Sequence, residues 1–252
     1  MISQIVIANR TNKNLFHTNY ILFSVTFKPS LNTSKLKSMK QQIAKTHLWI
    51  ISVLGWFALI SQFYLIMLNR IVSIPETIIR YFSFFTLLTN ILVALCSTIL
   101  LLIPLSRWGK FFSNRKTLTA ITVYIVIVGF VYNLILRFLW KPEGLQQVVD
   151  ELLHTLIPIL FLLYWIASVP KSELKWKDVL VWLLYPLIYV LYILLRGAMS
   201  GFYPYPFINV IDLGYNNVAI NICLIASAFL FLSLLLVAIA KSLTKVSSKK
   251  TS

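Results

Sequence analysis

The chain has 252 residues, with 23 Lys and Arg against 7 Asp and Glu and a formal net charge of +16. Hydrophobic residues make up 59% and charged ones 12%, with a mean hydropathy of +0.82; a soluble domain carries about twice that share of charge. This excludes an ordinary soluble domain. Because the bases fall mainly in tails and loops, their expected partners are membrane lipids, with no nucleic acid.

Residues 1–44 are mostly polar, rich in Asn, Ser, Thr and Lys, with one short apolar patch, "YILFSVTF", too brief to span. No small-residue cleavage pattern follows it. The segment reads as a flexible cytoplasmic tail. From Met39 the sequence "MKQQIAKTHLWIISVLGW" has the form of a complete start for a bacterial membrane protein, so translation from Met39 is a second reading.

Residues 45–240 hold six apolar runs, at 48–68, 81–104, 118–140, 151–169, 178–196 and 216–240. A hydrocarbon core of about 30 Å needs about 20 such residues per helix, and helices satisfy their own backbone groups in lipid. The alternation of barrel strands is absent. The expected fold is therefore an all-α polytopic bundle of six transmembrane helices. Pro158 and Pro186 are expected to kink the fourth and fifth. Residues 241–252 form a basic tail.

Eighteen of the 23 Lys and Arg lie in the N-terminal segment, the second and fourth connections and the C-terminal tail. If six helices alternate, these regions share one face, and the positive-inside rule makes both termini cytoplasmic. Five of the seven acids, Glu76, Glu143, Asp150, Glu151 and Asp212, fall on the other face. The expected location is the cell membrane, as a multi-pass protein.

Polar residues inside spanning helices cost energy and so call for a reason. They gather towards the outer ends. Helix two, "RYFSFFTLLTNILVALCSTILLL", places Ser83, Thr86 and Asn90 on one face. Helix three puts Asn133 and Arg137 four apart, helix four opens with Asp150, Glu151 and His154, and helix five ends at Arg196. The loop "GAMSGFYPYPFINVIDLGYNN" mixes helix breakers with Phe202, Tyr203, Tyr205 and Phe207. It reads either as an aromatic lid over the bundle or as an interfacial anchor without a binding role. Facing inward, the polar groups build an open-topped pocket.

A threonine hydroxyl is weakly nucleophilic without a base within hydrogen-bond reach. His154 is the sole histidine beyond the N-terminal segment, which makes Thr86 and His154 the candidate catalytic pair. The plainer readings are a Thr86 hydroxyl returned to a carbonyl one turn earlier and a water-bound interfacial histidine. Arg137 and Arg196 suit an oxyanion or lipid carboxylate, or snorkelling to headgroups. Asn90, Asn133 and Asn221 also suit interhelical hydrogen bonds. Cys96 and Cys223 are far apart in apolar segments and read as small buried residues. No metal is expected, one membrane histidine and no close Cys pair being too few ligands. P-loop, GxGxxG and GxSxG motifs are absent.

The segments "FFTLLTNIL", "ELLHTLIPILFL" and "YPYPF" resemble, in order and position, the androgen-induced / FAR-17a-like family of six-helix membrane proteins and its bacterial Pr6Pr-type relatives. The resemblance covers roughly residues 45–240. It implies a membrane hydrolase of fatty acid esters using a threonine and a histidine. Thr86 of "FFTLL" and His154 of "HTLIP" stand at those positions, and Tyr205, Pro206 and Phe207 at the family's Tyr-Pro-Phe element. The loops and the residues before His154 depart from the family pattern. The expected function is Thr86/His154-dependent hydrolysis of a lipid ester. Asn90, Asn133, Arg137, Asp150, Arg196, Tyr205 and Phe207 would support or bind the substrate, and no cofactor is needed. The alternative is a non-enzymatic lipid- or small-molecule-binding protein or transporter using the same pocket.

Overall fold

Hydropathy locates the spans well, and the backbone then breaks them at places hydropathy does not mark. The computed structural model describes residues 33–139 and 141–249, and all regular structure among them is helical. Six segments are long and apolar enough to cross a membrane: Ser34–Leu68, Phe85–Leu102, Arg115–Phe138, Gly144–Ser168, Asp178–Ser200 and Val210–Thr244. The protein is an all-α integral membrane protein of the expected six-span design.

The helices are α1 (Thr33–Leu68), α2 (Ile74–Tyr81), α3 (Phe85–Leu102), α4 (Arg107–Ser113), α5 (Arg115–Leu134), α6 (Gly144–Glu151), α7 (Ile157–Ser168), α8 (Asp178–Trp182), α9 (Leu184–Ser200) and α10 (Val210–Lys249). A π-turn, Leu152–Leu156, joins α6 to α7. Several expectations change. The end of the expected tail, residues 33–44, is helical and continuous with the first span; residues 1–32 lie outside the described residues. The second run is two helices, and Ser83 sits in the break between them rather than on a face with Thr86 and Asn90. α5 ends at Leu134, so Arg137 lies in a following 3-10 turn and not on the helix of Asn133. The fourth span begins at Gly144, seven residues before the expected 151. The last bends at Gly214, whose φ of 74° favours glycine.

α5 is the centre of the bundle. It packs on α3, α7 and α10, while α1 packs on α3 and α7. Lipid tails are as apolar as leucine, so close packing and polar contacts hold these helices together rather than burial alone. Two glycines let neighbouring spans come close. A Cβ on Gly55 would meet Ala94 Cβ at 3.2 Å, and one on Gly129 would meet the His154 carbonyl oxygen at 3.1 Å. Trp165 Nε1 donates to Thr119 Oγ1 at 2.9 Å and Trp56 Nε1 to Thr98 Oγ1 at 3.0 Å. Large apolar side chains such as Ile60, Ile188, Leu195, Leu224 and Phe231 remain exposed, far more than a soluble monomer leaves uncovered. They face where acyl chains would lie.

Candidate functional site

Pro158 shapes the centre of the site. It has no N–H, so in α register the carbonyl of His154 loses its donor, and in π register that of Leu153 does. Ile157 N bonds to Leu152 O, which sets the π register. Two asparagines supply what proline removes. Asn90 Nδ2 donates to Leu153 O at 3.1 Å and to Thr86 O at 2.9 Å. Asn133 Nδ2 donates to His154 O at 3.2 Å and to Gly129 O at 2.9 Å. The Asn90 amide thus ties the backbone carrying Thr86 to the backbone beside His154. It is 1% exposed, and its Oδ1 has no hydrogen-bond partner among the described residues.

His154 is fixed from two sides. Its ring stacks on Tyr132, centroids 4.0 Å apart and planes within 14°. Its Nδ1 lies 2.9 Å from the Asp150 carbonyl oxygen. A carbonyl only accepts, so Nδ1 carries the proton and Nε2 of the neutral ring is an acceptor. It is the main chain of Asp150 that orients the ring. The buried Asp150 carboxylate accepts from Tyr132 Oη at 3.2 Å and Gln146 Nε2 at 3.1 Å, and Gln146 also donates to Gln62 Oε1 at 2.8 Å.

Thr86 stands at the second helical position of α3. Ser97, Thr98, Thr119 and Thr122 all return their hydroxyls to carbonyls four residues earlier, at 2.7–2.9 Å. Thr86 does not. Its Oγ1 lies 3.3 Å from Tyr205 Oη, and its N–H donates to the same phenol oxygen at 3.2 Å. The neighbouring N–H, of Phe85, donates to Tyr189 Oη at 3.2 Å. The first turn of α3 thus aims two backbone donors at phenols, no side chain of its own capping it. Burial pushes the Tyr205 phenol above its ordinary pKa, which keeps it protonated.

The loop that carries Tyr205 is anchored from above. Gly201, with φ of 69°, ends α9. Phe202 is flanked by two guanidiniums, Arg80 at 4.3 Å and Arg196 at 4.8 Å from its ring centre. Both arginines share Glu76, at 2.9 and 2.7 Å. The Arg80 guanidinium holds the Glu76 carboxyl below its usual range. Phe84 packs edge-on to both Phe202 and Tyr205, and Tyr205 stacks on Phe207 at 5.2 Å.

Two chambers meet at this point. A cleft of about 850 Å³ is lined by Thr86, His154, Asp150 and Tyr205 together with Gln62, Asn69, Gln146 and the rim residues Lys141 and Glu143. An apolar cavity of about 320 Å³ is walled by α3, α5, α9, α10 and the loop, Phe207 included. Thr86, Leu136 and Tyr205 line both. Of the sequence-derived candidates, Thr86, His154, Asp150 and Tyr205 come together at the cleft. Thr86 and His154 share its wall without a direct hydrogen bond.

The others stand apart. Asn90 and Asn133 are backbone clamps and do not line the cleft. Arg137 pairs with Glu151, contacts Thr155 Oγ1 at 3.3 Å and lies over Tyr132; it is not among the residues that line the cleft. Arg196 is buried in the Glu76 pair. Neither arginine points charge into the cleft. Sequence reading passed over Tyr132, Tyr189, Glu76, Gln62 and Gln146. Gln62 alone carried a signal, an amide inside the apolar run "LISQFYLIM"; the tyrosines looked like any interfacial aromatic.

No family model matches the chain, and neither the curated proteins nor the solved structures yield a match.

Proposed function

We propose that the protein hydrolyses a lipid ester at the meeting of the two chambers, with Thr86 as nucleophile and His154 as base. The observation that carries this reading is the shared wall. A threonine hydroxyl freed from the usual back-bond and a histidine with its Nε2 lone pair available line one cleft, and an apolar cavity opens beside the same threonine. The resemblance of "FFTLL", "HTLIP" and "YPYPF" to the androgen-induced / FAR-17a-like proteins points the same way. Both termini are taken as cytoplasmic, which turns the site towards the outer leaflet.

The ester carbonyl takes the place of the Tyr205 hydroxyl against Thr86. Thr86 Oγ attacks the carbonyl carbon, and its proton passes through one water to His154 Nε2. The oxyanion accepts the Thr86 N–H that Tyr205 releases, at the positive end of α3. Collapse breaks the bond to the alcohol oxygen, which leaves with the proton from Nε2. Water, deprotonated by His154, then cleaves the acyl-threonine, releasing the fatty acid and restoring Thr86. Asp150, through its carbonyl, holds the ring tautomer.

Turnover of a p-nitrophenyl decanoate ester by the purified full chain in nanodiscs tests this. The expected result is loss of at least about 10³-fold in kcat/KM for Thr86→Ala and His154→Ala, in line with removal of a nucleophile or its base. Equal turnover in wild type and both variants contradicts it. One feature favours the second reading, a non-catalytic lipid-binding protein: the Thr86 hydroxyl meets Tyr205 and not His154. Saturable binding of lipid without turnover by wild type would decide for it.

A further inference from the structure

The two chambers share Thr86 but open in different directions. The cleft reaches Asn69, Lys141 and Glu143, which lie between spans, where water is. The apolar cavity lies between helices that face lipid.

α9 stands at the edge of the bundle. It buries Tyr189, Ile193, Arg196 and Gly197, while Leu184, Leu187, Ile188, Leu191 and Leu195 are exposed. On α10, Cys223, Ala226, Ser227 and Leu230 are exposed. In each helix the exposed residues recur three and four apart, so they form one outward face. Leu187 and Ala226 belong to these outward faces and also line the cavity. A side chain that does both marks the lip of an opening, here one lip on α9 and one on α10. The other walls are closed, since Phe85, Ile127, Val128, Tyr189, Ile208 and Phe229 are buried.

The shape suits a chain. The lining runs from Ile222 to Phe229 on α10 and from Val190 back to Leu183 on α9, which is about 10 Å along each helix. No charged side chain lines it among the described residues, and its polar members are Thr86, Tyr189 and Tyr205. Both phenols reach the first turn of α3, at the Phe85 and Thr86 N–H groups. Polarity is thus confined to one end, and the rest offers only apolar contact. Such a cavity does not hold water; its natural occupant in a bilayer is an acyl chain.

We infer that the apolar cavity is a side entrance from the membrane. The acyl chain of a bilayer-resident ester slips between α9 and α10 and lies against Ile225 and Phe229, with its carbonyl end at the first turn of α3. Water and the departing alcohol use the cleft. The substrate class is therefore a lipid dissolved in the membrane rather than an ester taken from solution. What happens at Thr86 rests on the proposed hydrolase reading; the entrance itself does not need turnover.

Photolabelling of the full-length Thr86→Ala variant in nanodiscs tests this, with methyl stearate that carries a mid-chain diazirine. Adducts are located by digestion and mass spectrometry. The expected result is labelling of the buried Ile127 and Phe229 besides the lipid-facing Leu224 and Phe231, with excess plain methyl stearate suppressing the inner adducts alone. Ala226→Trp fills the opening from α10 and Leu187→Trp from α9; labelling inside should fall at least about tenfold, with labelling outside unchanged. Labelling confined to the lipid-facing residues overturns the inference, and so does inner labelling that neither tryptophan lowers. Failure of the hydrolase reading shows separately, as tryptophan-sensitive labelling with no release of stearate when Thr86 is intact.

Discussion

Two prolines interrupt spanning helices, and the surroundings of each differ. Pro186 sits in the first turn of α9, just after the break at Leu183. It deprives one carbonyl of a donor, that of Trp182, and Tyr124 Oη supplies the replacement at 2.7 Å. Pro158 follows a π-turn and leaves two carbonyls, Leu153 and His154, which take amides from α3 and α5. One repair is a phenol inside a packed wall. The other stitches three helices together around a histidine. A helix break becomes a candidate site when its repair comes from the elements that carry the other reacting groups, and only Pro158 meets that condition.

The contrast is sharpest at the repairing side chains. Asn90→Leu removes the donors of Leu153 O and Thr86 O together. The expected outcome is a loss of about 1–3 kcal/mol in stability, since the buried carbonyls are left unsatisfied. Turnover should fall on the order of 10²-fold, the usual cost of a 1 Å misplacement at a reacting centre. Thermal unfolding and ester turnover on the same preparation check both. A stability loss with full turnover would mean that the clamp does not position the pair.

Exchanging the prolines comes next. Pro158→Ala returns an N–H to the helix and competes with the asparagines, so turnover should drop by roughly tenfold or more while stability changes by less than about 1 kcal/mol. Pro186→Ala should leave turnover within about twofold. Equal effects at both positions would erase the distinction drawn above. Tyr124→Phe should cost about 1 kcal/mol, the scale of one interhelical hydrogen bond in a membrane, with turnover unchanged.

The smallest effect is expected away from both prolines. Glu76 ties Arg80 and Arg196 around Phe202, and its folded pKa lies below the ordinary 4.5. A depressed carboxyl stabilises the fold fully above its unfolded pKa, and that contribution is lost as pH falls through the folded value. Unfolding temperatures of wild type and Glu76→Gln should therefore differ modestly at pH 7 and converge as pH falls below about 4.5. A gap that persists at acid pH would show that charge is not what holds the loop.

Much of this was legible in the sequence, and the limit is physical. Apolar content fixes where helices cross, so all six spans were found, while the first, fourth and last begin well before their apolar runs, at residues 34, 144 and 210 against the expected 48, 151 and 216. It does not report which carbonyls have donors. The break at 82–84, the π-turn and the ends of α5 and α8 follow from local hydrogen bonding and were invisible to hydropathy. Arg137 and Asn133 looked like one face because a continuous helix was assumed; α5 stops between them. Thr86, His154 and Asp150 could be singled out because polar groups in apolar runs are costly. Tyr132 and Tyr189 could not, since an aromatic near a helix end has many ordinary reasons to be there. The role of Tyr205 emerged from the contact of its hydroxyl with Thr86 Oγ1 and N, across 119 residues of chain.

The most direct measurement is the mapping of a covalent adduct. The full chain in nanodiscs is treated with a decyl fluorophosphonate, digested, and the modified residue is located by mass spectrometry. The expected result is phosphonylation of the Thr86 hydroxyl, at a rate that collapses in His154→Ala. An adduct on another residue, or labelling that persists unchanged in Thr86→Ala, would contradict it.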